Sequence, residues 1–343
     1  MTLKANNPAL QSWVEVPVNS DFPIQNLPLG IFKHNGNSPR VGVAIGDKVL
    51  DLKALHSLGY LTRLQFTIED FSSNVLNTMM RHGKQGTREL RNRISDLLNA
   101  DNEELQKKEH HCEQVLHEQS EVEMLLPMHI GDYTDFYSSE QHAFNVGCLF
   151  RDPDNALLPN WKHIPVGYHG RSSSIVPSGL NFHRPKGQMK PPTAEVPVFG
   201  ASKLLDFELE TAFFTYEGKP LGGSISTEEA DDYIFGMTLL NDWSARDIQG
   251  WEYVPLGPFL GKSFASHISS WIVTLDALEP FRTAGPIQDP KVLPYLEYAG
   301  DKHVNINLEV LIQPEGGEET SVSKSNYKYM YWNMNQQLAH HSV

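Results

Sequence analysis

Acidic and apolar side chains alternate in the stretch Leu204-Leu205-Asp206-Phe207-Glu208-Leu209-Glu210-Thr211-Ala212-Phe213-Phe214. A period of two predicts a β-strand with Asp206, Glu208 and Glu210 on one face and the apolar residues on the other. We expect the apolar face to be buried in a core, with the carboxylates on the opposite face about 7 Å apart. Buried carboxylates at such spacing take up protons or bind a cation. For this strand alone a solvated acidic face is the more ordinary interpretation. Residues elsewhere in the chain must therefore decide between a solvated face and a cation site.

Composition limits the classes of function. The chain has 343 residues, enough for two domains or one large domain with an appendage, and a formal charge of −14. That charge argues against nucleic acid or an anionic membrane as a partner. No apolar run approaches the roughly 20 residues that a membrane span needs. Two cysteines, Cys112 and Cys148, and the lack of an Asn-x-Ser/Thr sequon indicate a reducing, cytoplasmic location.

The first part of the chain, residues 1–120, is typical of a separate small β module followed by helix. Residues 40–45 and 48–52 are short β-like runs joined by Gly46-Asp47, which predicts a hairpin. Apolar residues then recur at helical spacing at Leu90, Ile94, Leu97, Leu98 and Leu105, and Val115 and Leu116 extend the pattern.

The second part, residues 121–343, is richer in Gly, Pro, Tyr, Trp and His between about 126 and 275. Residues 130–147 indicate a loop that runs into a helix, and 234–240 a buried strand that ends near Asp242. Residues 304–312 alternate as an antiparallel strand with one solvated face, and 329–337 indicate a helix. Together these patterns predict a β-rich α+β fold.

Four acidic residues, Asp135, Glu208, Glu210 and Asp242, are candidates for one oxygen-rich metal site. Oxygen ligands without His or Cys favour Ca²⁺ or Mg²⁺ over zinc. Acidic residues are mostly just exposed, and spacing alone leaves that alternative open.

Other polar residues suggest catalytic roles, each with a structural alternative. His142 is a candidate base for drawing a proton from water, although most of the fifteen histidines must be ordinary surface or core residues. Basic residues in this aromatic and Gly/Pro-rich region suit carboxylate binding, oxyanion stabilisation or structural ion pairs. These are Arg151, Arg171, Arg246 and Lys262. Tyr137, Tyr168 and Tyr253 could donate hydrogen bonds to a substrate or simply pack.

Several long motifs resemble the fumarylacetoacetase family. They lie at residues 20–28, 131–139, 155–161, 165–171, 241–249 and 251–264. The resemblance covers essentially the whole chain and implies hydrolysis of the C–C bond of 4-fumarylacetoacetate, a small diketo acid, to fumarate and acetoacetate. It also implies a homodimer and two domains, an SH3-like domain in residues 1–120 and a larger mixed β-roll domain in residues 121–343.

The resemblance further implies roles for individual residues. Ca²⁺ would be held by Asp135, Glu208, Glu210 and Asp242. A Mg²⁺ site would involve Asp242, Lys262 and Ser266, the last replacing a family Thr while keeping the hydroxyl. His142 would be the general base, with Arg246 and Lys262 offsetting the oxyanion. Substrate contacts would come from Tyr137, Arg151, Tyr168, Gln249 and Tyr253.

Family members continue past His340-His341-Ser342-Val343 with a Glu that orients the catalytic His, a substrate-contacting Thr and closing strands. The resemblance therefore leads us to expect an incomplete β-roll and a chain that is weakly active or inactive by itself. The alternatives are a related acylpyruvate hydrolase or oxaloacetate decarboxylase, and a non-catalytic form that binds metal or a full-length partner.

Overall fold

The protein, seen in a computed structural model, is described over residues 3–343. Its strands are short and belong to several sheets. They are β1 Leu29–His34, β2 Arg40–Ile45, β3 Lys48–Asp51, β4 Leu116–Glu118, β5 Val122–Met124, β6 Thr134–Phe136, β7 Gly167–His169, β8 Ile175–Pro177, β9 Lys186–Met189, β10 Val198–Ala201, β11 Leu205–Asp206, β12 Leu209–Thr215, β13 Ile234–Asp242, β14 Ser244–Ala245, β15 Ser266–Ile268, β16 Val273–Thr274, β17 Arg282–Thr283, β18 His303–Val304, β19 Asn307–Ile312 and β20 Thr320–Asn326.

The helices lie mainly in the first third of the chain and at its end. They are α1 Leu52–Ser57, α2 Ile68–Ser72, α3 Asn77–Met80, α4 Gly83–Leu98, α5 Glu103–Gln106, α6 Glu109–Val115, α7 Glu140–Phe150, α8 Ala230–Tyr233, α9 Arg246–Glu252, α10 Leu275–Leu278 and α11 Met334–His341. Each helix of residues 3–343 is too short or too polar to cross a bilayer. The expected β-rich α+β class is confirmed.

The first sheet is antiparallel, with its strands in the order β4-β3-β2-β1-β5. Every residue of β2 is buried. The predicted hairpin is present, because β2 pairs with β3 from Ile45 opposite Lys48. Gly46 makes the turn at φ +54°, and a Cβ there would lie 2.2 Å from the Glu15 carbonyl oxygen. Glycine is therefore required both by the left-handed backbone and by the close approach.

The predicted helical stripe is divided among three helices. α4 buries Leu90, Ile94, Leu97 and Leu98, as the spacing indicated. The chain then leaves the helix at Asn99, whose backbone is extended at φ −64° and ψ 134°. Leu105 consequently lies on α5 and Val115 on α6, whereas Leu116 is extended and begins β4, so the stripe does not continue to that residue.

The first sheet is attached to the rest of the chain by backbone hydrogen bonds and a partly buried ion pair. Leu29 and Ile272 exchange both backbone hydrogen bonds, at 3.0 and 2.8 Å. Arg88 makes a two-point contact with the Asp276 carboxylate at 2.6 and 2.8 Å. The first apolar core also includes Phe235 from β13, so the two parts of the chain share it.

The second main sheet has the strand order β12-β13-β15-β8, and it positions the site. β13 is the predicted buried strand and continues to Asp242. Its register places Leu240 opposite Glu210 on β12 and Asp242 opposite Ser266 on β15. Polar residues of three strands therefore meet at one end of this sheet.

The stretch 204–214 is not one continuous strand, contrary to the alternation. It forms β11, which pairs with β14, and β12, which pairs with β13, with a break at Phe207 and Glu208. The break comes where the Glu208 amide donates to the Asn241 side chain instead of a ladder carbonyl, at 3.3 Å. Asp206 consequently lies on a separate short strand, outside the group of carboxylates that Glu208 and Glu210 join.

The end of the chain also differs from the pattern. The helix predicted for 329–337 begins only at Met334, after a 3₁₀ turn at Tyr327–Tyr329. Asn333 is extended and forms a capping box with Gln336, which starts the helix at that point. The alternating residues near 304–312 form β18 and the hairpin strand β19, which pairs with β20.

Candidate active site

Four carboxylates converge at the ends of neighbouring strands. Asp135 lies on β6, Glu208 between β11 and β12, Glu210 on β12, and Asp242 at the end of β13. One oxygen atom of each lies within 4.8 Å of those of the others. We call these four residues the acid cluster. Within residues 3–343, no second group of three or more His, Cys, Asp or Glu side chains comes together in this way.

Strand pairing explains this convergence. The amide of Asp242 donates to the Glu208 carbonyl at 3.1 Å, so these two residues face each other across the ladder. Asp135 pairs with Tyr168 on β7. Strands β6 and β7 form a sheet of their own, and this separate sheet brings Asp135 to the site. Three separate segments therefore supply the ligand oxygens, and spacing along the chain cannot show that they meet.

The carboxylates of the acid cluster have opposing pKa shifts. Burial and the charge of Asp242 raise the pKa of Asp135. Burial, followed by the charges of Asp135 and Glu208, raises the pKa of Glu210. Burial opposes ionisation of Glu208 as well, but Lys262, His142 and Arg246 outweigh it and hold the pKa of Glu208 well below its usual value. The cluster thus lacks enough positive charge to keep every carboxylate ionised.

This donor set fits a hard divalent cation. All four ligand groups are carboxylates, which suit Ca²⁺ and Mg²⁺ and disfavour soft metals. Two side-chain cations, Lys262 and Arg246, contact the cluster, against four acids. A divalent cation would supply the missing charge and lower the raised pKa values of Asp135 and Glu210.

Lys262 is one of the two buried cations that contact the acid cluster. Its Nζ atom lies 2.5 Å from Glu208 Oε2 and 3.1 Å from Asp242 Oδ2, and its side chain is only 5% exposed. Burial would favour the neutral amine, but the charges of Glu208 and Asp242 outweigh it and raise the pKa of Lys262. Lys262 therefore remains an ammonium at neutral pH.

Arg246 begins α9 and contacts the other side of Glu208. Its Nη2 atom lies 2.7 Å from Glu208 Oε1 and 2.9 Å from Asp206 Oδ2. Its Nη1 atom donates to Gln249 Oε1 at 3.0 Å. Asp206 thus orients an arginine instead of joining the acid cluster. Gln249 is brought next to the site by the same guanidinium.

His142 lies in the first turn of α7, where Ser139 accepts a hydrogen bond from its amide. Its Nε2 atom is 3.6 Å from Glu208 Oε1, and its ring meets that of Tyr137 edge-on at 5.6 Å. The packed atoms around the ring lower the pKa of His142 more than Glu208 raises it, although 37% of its side chain remains exposed. The imidazole is therefore neutral near pH 7 and reachable by water.

Hydroxyl groups surround Asp242. Ser266 donates to Asp242 Oδ1 at 2.5 Å and Tyr168 donates to Oδ2 at 3.3 Å. Tyr133, which we did not single out in the sequence, lines the cavity beside this site together with Tyr168 and Lys262. It lies two residues before Asp135, so the period of two along β6 was the signal that would have identified it.

Two of the proposed substrate contacts lie apart from the acid cluster. The guanidinium of Arg151 donates to the carbonyl oxygens of Asn155 and Ala156, at 3.3 and 2.7 Å. The ring of Tyr253 packs on Phe150 with centroids 5.1 Å apart. Among residues 3–343, neither makes an ion pair or hydrogen bond with the four acids, and their roles stay predictions.

A cavity of about 300 Å³ opens beside the cluster. Its walls include Tyr133, Tyr168, Arg171, Phe259 and Lys262. The guanidinium of Arg171 lies over the Phe259 ring, 5.4 Å from its centroid. Within residues 3–343 no carboxylate lies within 4.0 Å of Arg171. The cavity therefore combines an unpaired guanidinium with the buried ammonium of Lys262.

Known proteins resemble this chain along almost all of its length. The family profile "Fumarylacetoacetase N-terminal" matches residues 25–127, and "Fumarylacetoacetate (FAA) hydrolase C-terminal" matches residues 133–343. Fumarylacetoacetase from Bos taurus is 52% identical over 97% of this chain and 80% of its own length. The Homo sapiens protein of the same name is 51% identical, also over 97% and 80%.

A solved structure shares the fold at much lower identity. Fumarylacetoacetate hydrolase from Exiguobacterium antarcticum is 17% identical and covers 92% of this chain and 81% of its own, with a TM-score of 0.51. At that identity the likeness concerns the fold alone.

Proposed function

This chain belongs to the fumarylacetoacetase family and is a hydrolase of carbon–carbon bonds, and we propose that the acid cluster is the centre of its active site. The reaction is hydrolysis of 4-fumarylacetoacetate to fumarate and acetoacetate, the last step of tyrosine and phenylalanine breakdown. The observation that carries the proposal is the meeting of four carboxylates beside Lys262 and His142.

We propose that Asp135, Glu208, Glu210 and Asp242 hold Ca²⁺, and that Asp242 and Ser266 belong to an adjoining Mg²⁺ site. An ammonium has no lone pair, so Lys262 would offer that second site its main-chain oxygen. A bound divalent cation would polarise the diketone oxygens and stabilise the enolate that leaves. The all-oxygen donor set and the raised pKa values of Asp135 and Glu210 support this assignment.

His142 acts as the general base in this proposal. A neutral imidazole accepts a proton from water, and the lowered pKa of His142 keeps the ring neutral at physiological pH. Its exposed edge admits the water, while Tyr137 packs against the ring from the side. The nearby charge of Glu208 stabilises the imidazolium that forms when the proton is taken up.

Lys262 and Arg246 stabilise the negative charge that develops when water attacks the substrate carbonyl. Both are held by Glu208, so they are positioned before substrate arrives and need little reorganisation. Gln249 fixes the Arg246 side chain from the opposite direction.

The substrate is a diketo acid with a carboxylate at each end, so it needs cationic or hydrogen-bonding partners. We assign one end to the cavity beside the cluster, where Arg171, Tyr168 and Lys262 face the same space. Tyr137, Arg151, Gln249 and Tyr253 are the remaining proposed contacts. Of these, Arg151 and Tyr253 contact neighbouring residues and not the acid cluster in this structure.

A substrate panel tests the proposal. Purified protein is supplied with 4-fumarylacetoacetate, an acylpyruvate or oxaloacetate, with Ca²⁺ and Mg²⁺ present or removed by a chelator. We expect a slow loss of the diketone ultraviolet absorbance with the first substrate only, and only when metal is present. Turnover of oxaloacetate or an acylpyruvate in preference would establish the related enzyme classes instead. Metal binding without any turnover would support a non-catalytic role for this chain.

We further propose a homodimer in the cytoplasm, with two domains in each subunit. The free state of Cys112 and Cys148 is compatible with a reducing compartment. The first sheet includes β5, so we place the domain division after Met124, slightly beyond residue 120. Sedimentation velocity of the purified chain tests the dimer, since a single monomeric species would contradict it.

A further inference from the structure

One short segment, residues 134–142, carries Asp135, Tyr137 and His142. Its centre is Ser138, a residue only 2% exposed. The Ser138 carbonyl accepts hydrogen bonds from the amides of Tyr331 and Trp332, at 3.0 and 3.3 Å. The backbone just before α11 therefore holds the middle of this segment.

The side chain of Ser138 is held by α11 itself. Gln337 Nε2 donates to Ser138 Oγ at 2.8 Å, and Gln337 is 5% exposed. Ser139, the next residue, accepts the hydrogen bond from the His142 amide that caps α7. A movement of Ser138 would consequently move the cap and the imidazole beyond it.

The same helix reaches the other end of the segment. His341 Nε2 lies 2.9 Å from Thr134 Oγ1, immediately before Asp135. Gln337 and His341 are four residues apart and so lie on one face of α11. That face contacts the chain on both sides of Asp135 and Tyr137, at Thr134 and at Ser138.

Aromatic packing reinforces these contacts. Trp332 Nε1 donates to the Trp161 carbonyl at 3.1 Å, and Trp161 Nε1 donates to the Tyr137 carbonyl at 2.8 Å. Trp161 and Trp332 share one apolar cluster with Ala143 of α7. The opposite side of α11 has different partners, because Asn335 donates to the Thr227 carbonyl at 3.0 Å.

We propose that Gln337 and His341 are positioning residues. They hold Asp135 and His142 in place beside the other three carboxylates of the acid cluster. This inference rests on the proposed function for its catalytic consequence, while the positioning itself concerns only contacts within the chain. Gln337 acts mainly on His142 through Ser138 and Ser139. His341 acts mainly on Asp135 through Thr134.

Four variants of the full chain test the proposal. Gln337→Met keeps the side-chain length and removes the amide donor. His341→Ala removes the contact to Thr134, and His341→Gln restores an amide that can donate or accept there. His340→Ala is the matched control, because His340 contacts Tyr295 at 2.9 Å and not the 134–142 segment. Substrate turnover, Ca²⁺ binding by calorimetry, and hydrogen exchange of the metal-free protein are measured for each.

We expect His341→Ala to weaken Ca²⁺ binding by about threefold, less than the about tenfold loss typical of a residue that bonds a metal ligand directly, because His341 contacts Thr134 and not Asp135 itself. His341→Gln should recover most of that loss, and His340→Ala should bind like the unaltered protein. Gln337→Met should lower kcat by about tenfold with KM nearly unchanged, as expected when a base is misplaced but substrate still binds. In the metal-free protein, exchange should quicken in 134–142 and stay unchanged around Thr227.

Several results would overturn the proposal. One is Ca²⁺ binding that is unaltered in His341→Ala, weakened equally in His340→Ala, or not recovered in His341→Gln. Another is a Gln337→Met variant with unaltered kcat and unaltered hydrogen exchange. If the unaltered protein fails to turn over 4-fumarylacetoacetate, the proposed function fails. Ca²⁺ binding and hydrogen exchange would then still decide the positioning role.

Discussion

Replacing Lys262 by Met separates the structural role of its ammonium from its catalytic role. The Nζ atom lies 2.5 Å from Glu208 and 3.1 Å from Asp242, and all three side chains are at most 6% exposed. Removing one partner of a buried charge pair costs about 3–5 kcal/mol of unfolding free energy. In metal-free buffer we therefore expect Lys262→Met to be markedly less stable than the unaltered protein.

The size of the thermal shift follows from the length of the chain. At about 2.1 cal/mol/K per residue, unfolding of 343 residues has an entropy of about 0.7 kcal/mol/K. A loss of about 3–5 kcal/mol then lowers Tm by about 4–7 °C in metal-free buffer. Because the substitution removes a positive charge from the acid cluster, Ca²⁺ should raise Tm more in Lys262→Met than in the unaltered protein.

Thermal melts followed by circular dichroism, with chelator or with Ca²⁺, measure both effects. Lys219→Met is the matched control, since Lys219 pairs with Glu229 at 2.9 Å but the two side chains are 28% and 48% exposed. An exposed pair contributes at most about 1 kcal/mol, a shift of about 1.5 °C or less. Turnover should fall by about 10²–10³-fold in Lys262→Met even when Ca²⁺ restores Tm. An unchanged Tm without metal, or a Ca²⁺ shift smaller than that of the unaltered protein, would refute the reasoning.

Three further predictions follow from separate parts of the structure. His142→Gln should lower kcat by about 10²–10⁴-fold while Ca²⁺ binding stays unchanged, and a loss of both would contradict its assignment as base. Arg171→Met should raise KM for 4-fumarylacetoacetate with little change in Tm, because Arg171 is exposed and lines the cavity; an unaltered KM excludes it as a substrate contact. At Asp231, burial is outweighed by Arg282 and Lys302, which lower the pKa of the carboxyl. A lowered pKa stabilises the fold above the unfolded value of about 3.9, and that stabilisation is lost as the pH falls through the folded value. Asp231→Asn should thus lower the urea midpoint at pH 7, and the two midpoints should approach each other below about pH 4. A difference in midpoint that does not change with pH would count against this ion pair.

Local patterns in the sequence determined the elements with short-range causes. The hairpin at Gly46 follows from two short β-like runs joined by a turn that needs a left-handed residue. The strand ending at Asp242 follows from a short apolar run that precedes a polar turn, a pattern typical of a buried strand. Residue chemistry likewise indicated that Asp135, Glu208, Glu210 and Asp242 suited a hard cation, because carboxylates are hard ligands wherever they lie.

Tertiary structure decided which of the polar residues meet. Asp206 and Glu208 look equivalent in the sequence, and both contact Arg246, but only Glu208 also belongs to the acid cluster. Arg151 bonds to nearby carbonyls, and Gln337, with no distinguishing local pattern, reaches Ser138 across 199 residues. Periodicity reports only which side of its own element a residue occupies. The partner of a residue is set by strand pairing and helix packing between distant segments, and the periodicity of one element carries no information about that pairing.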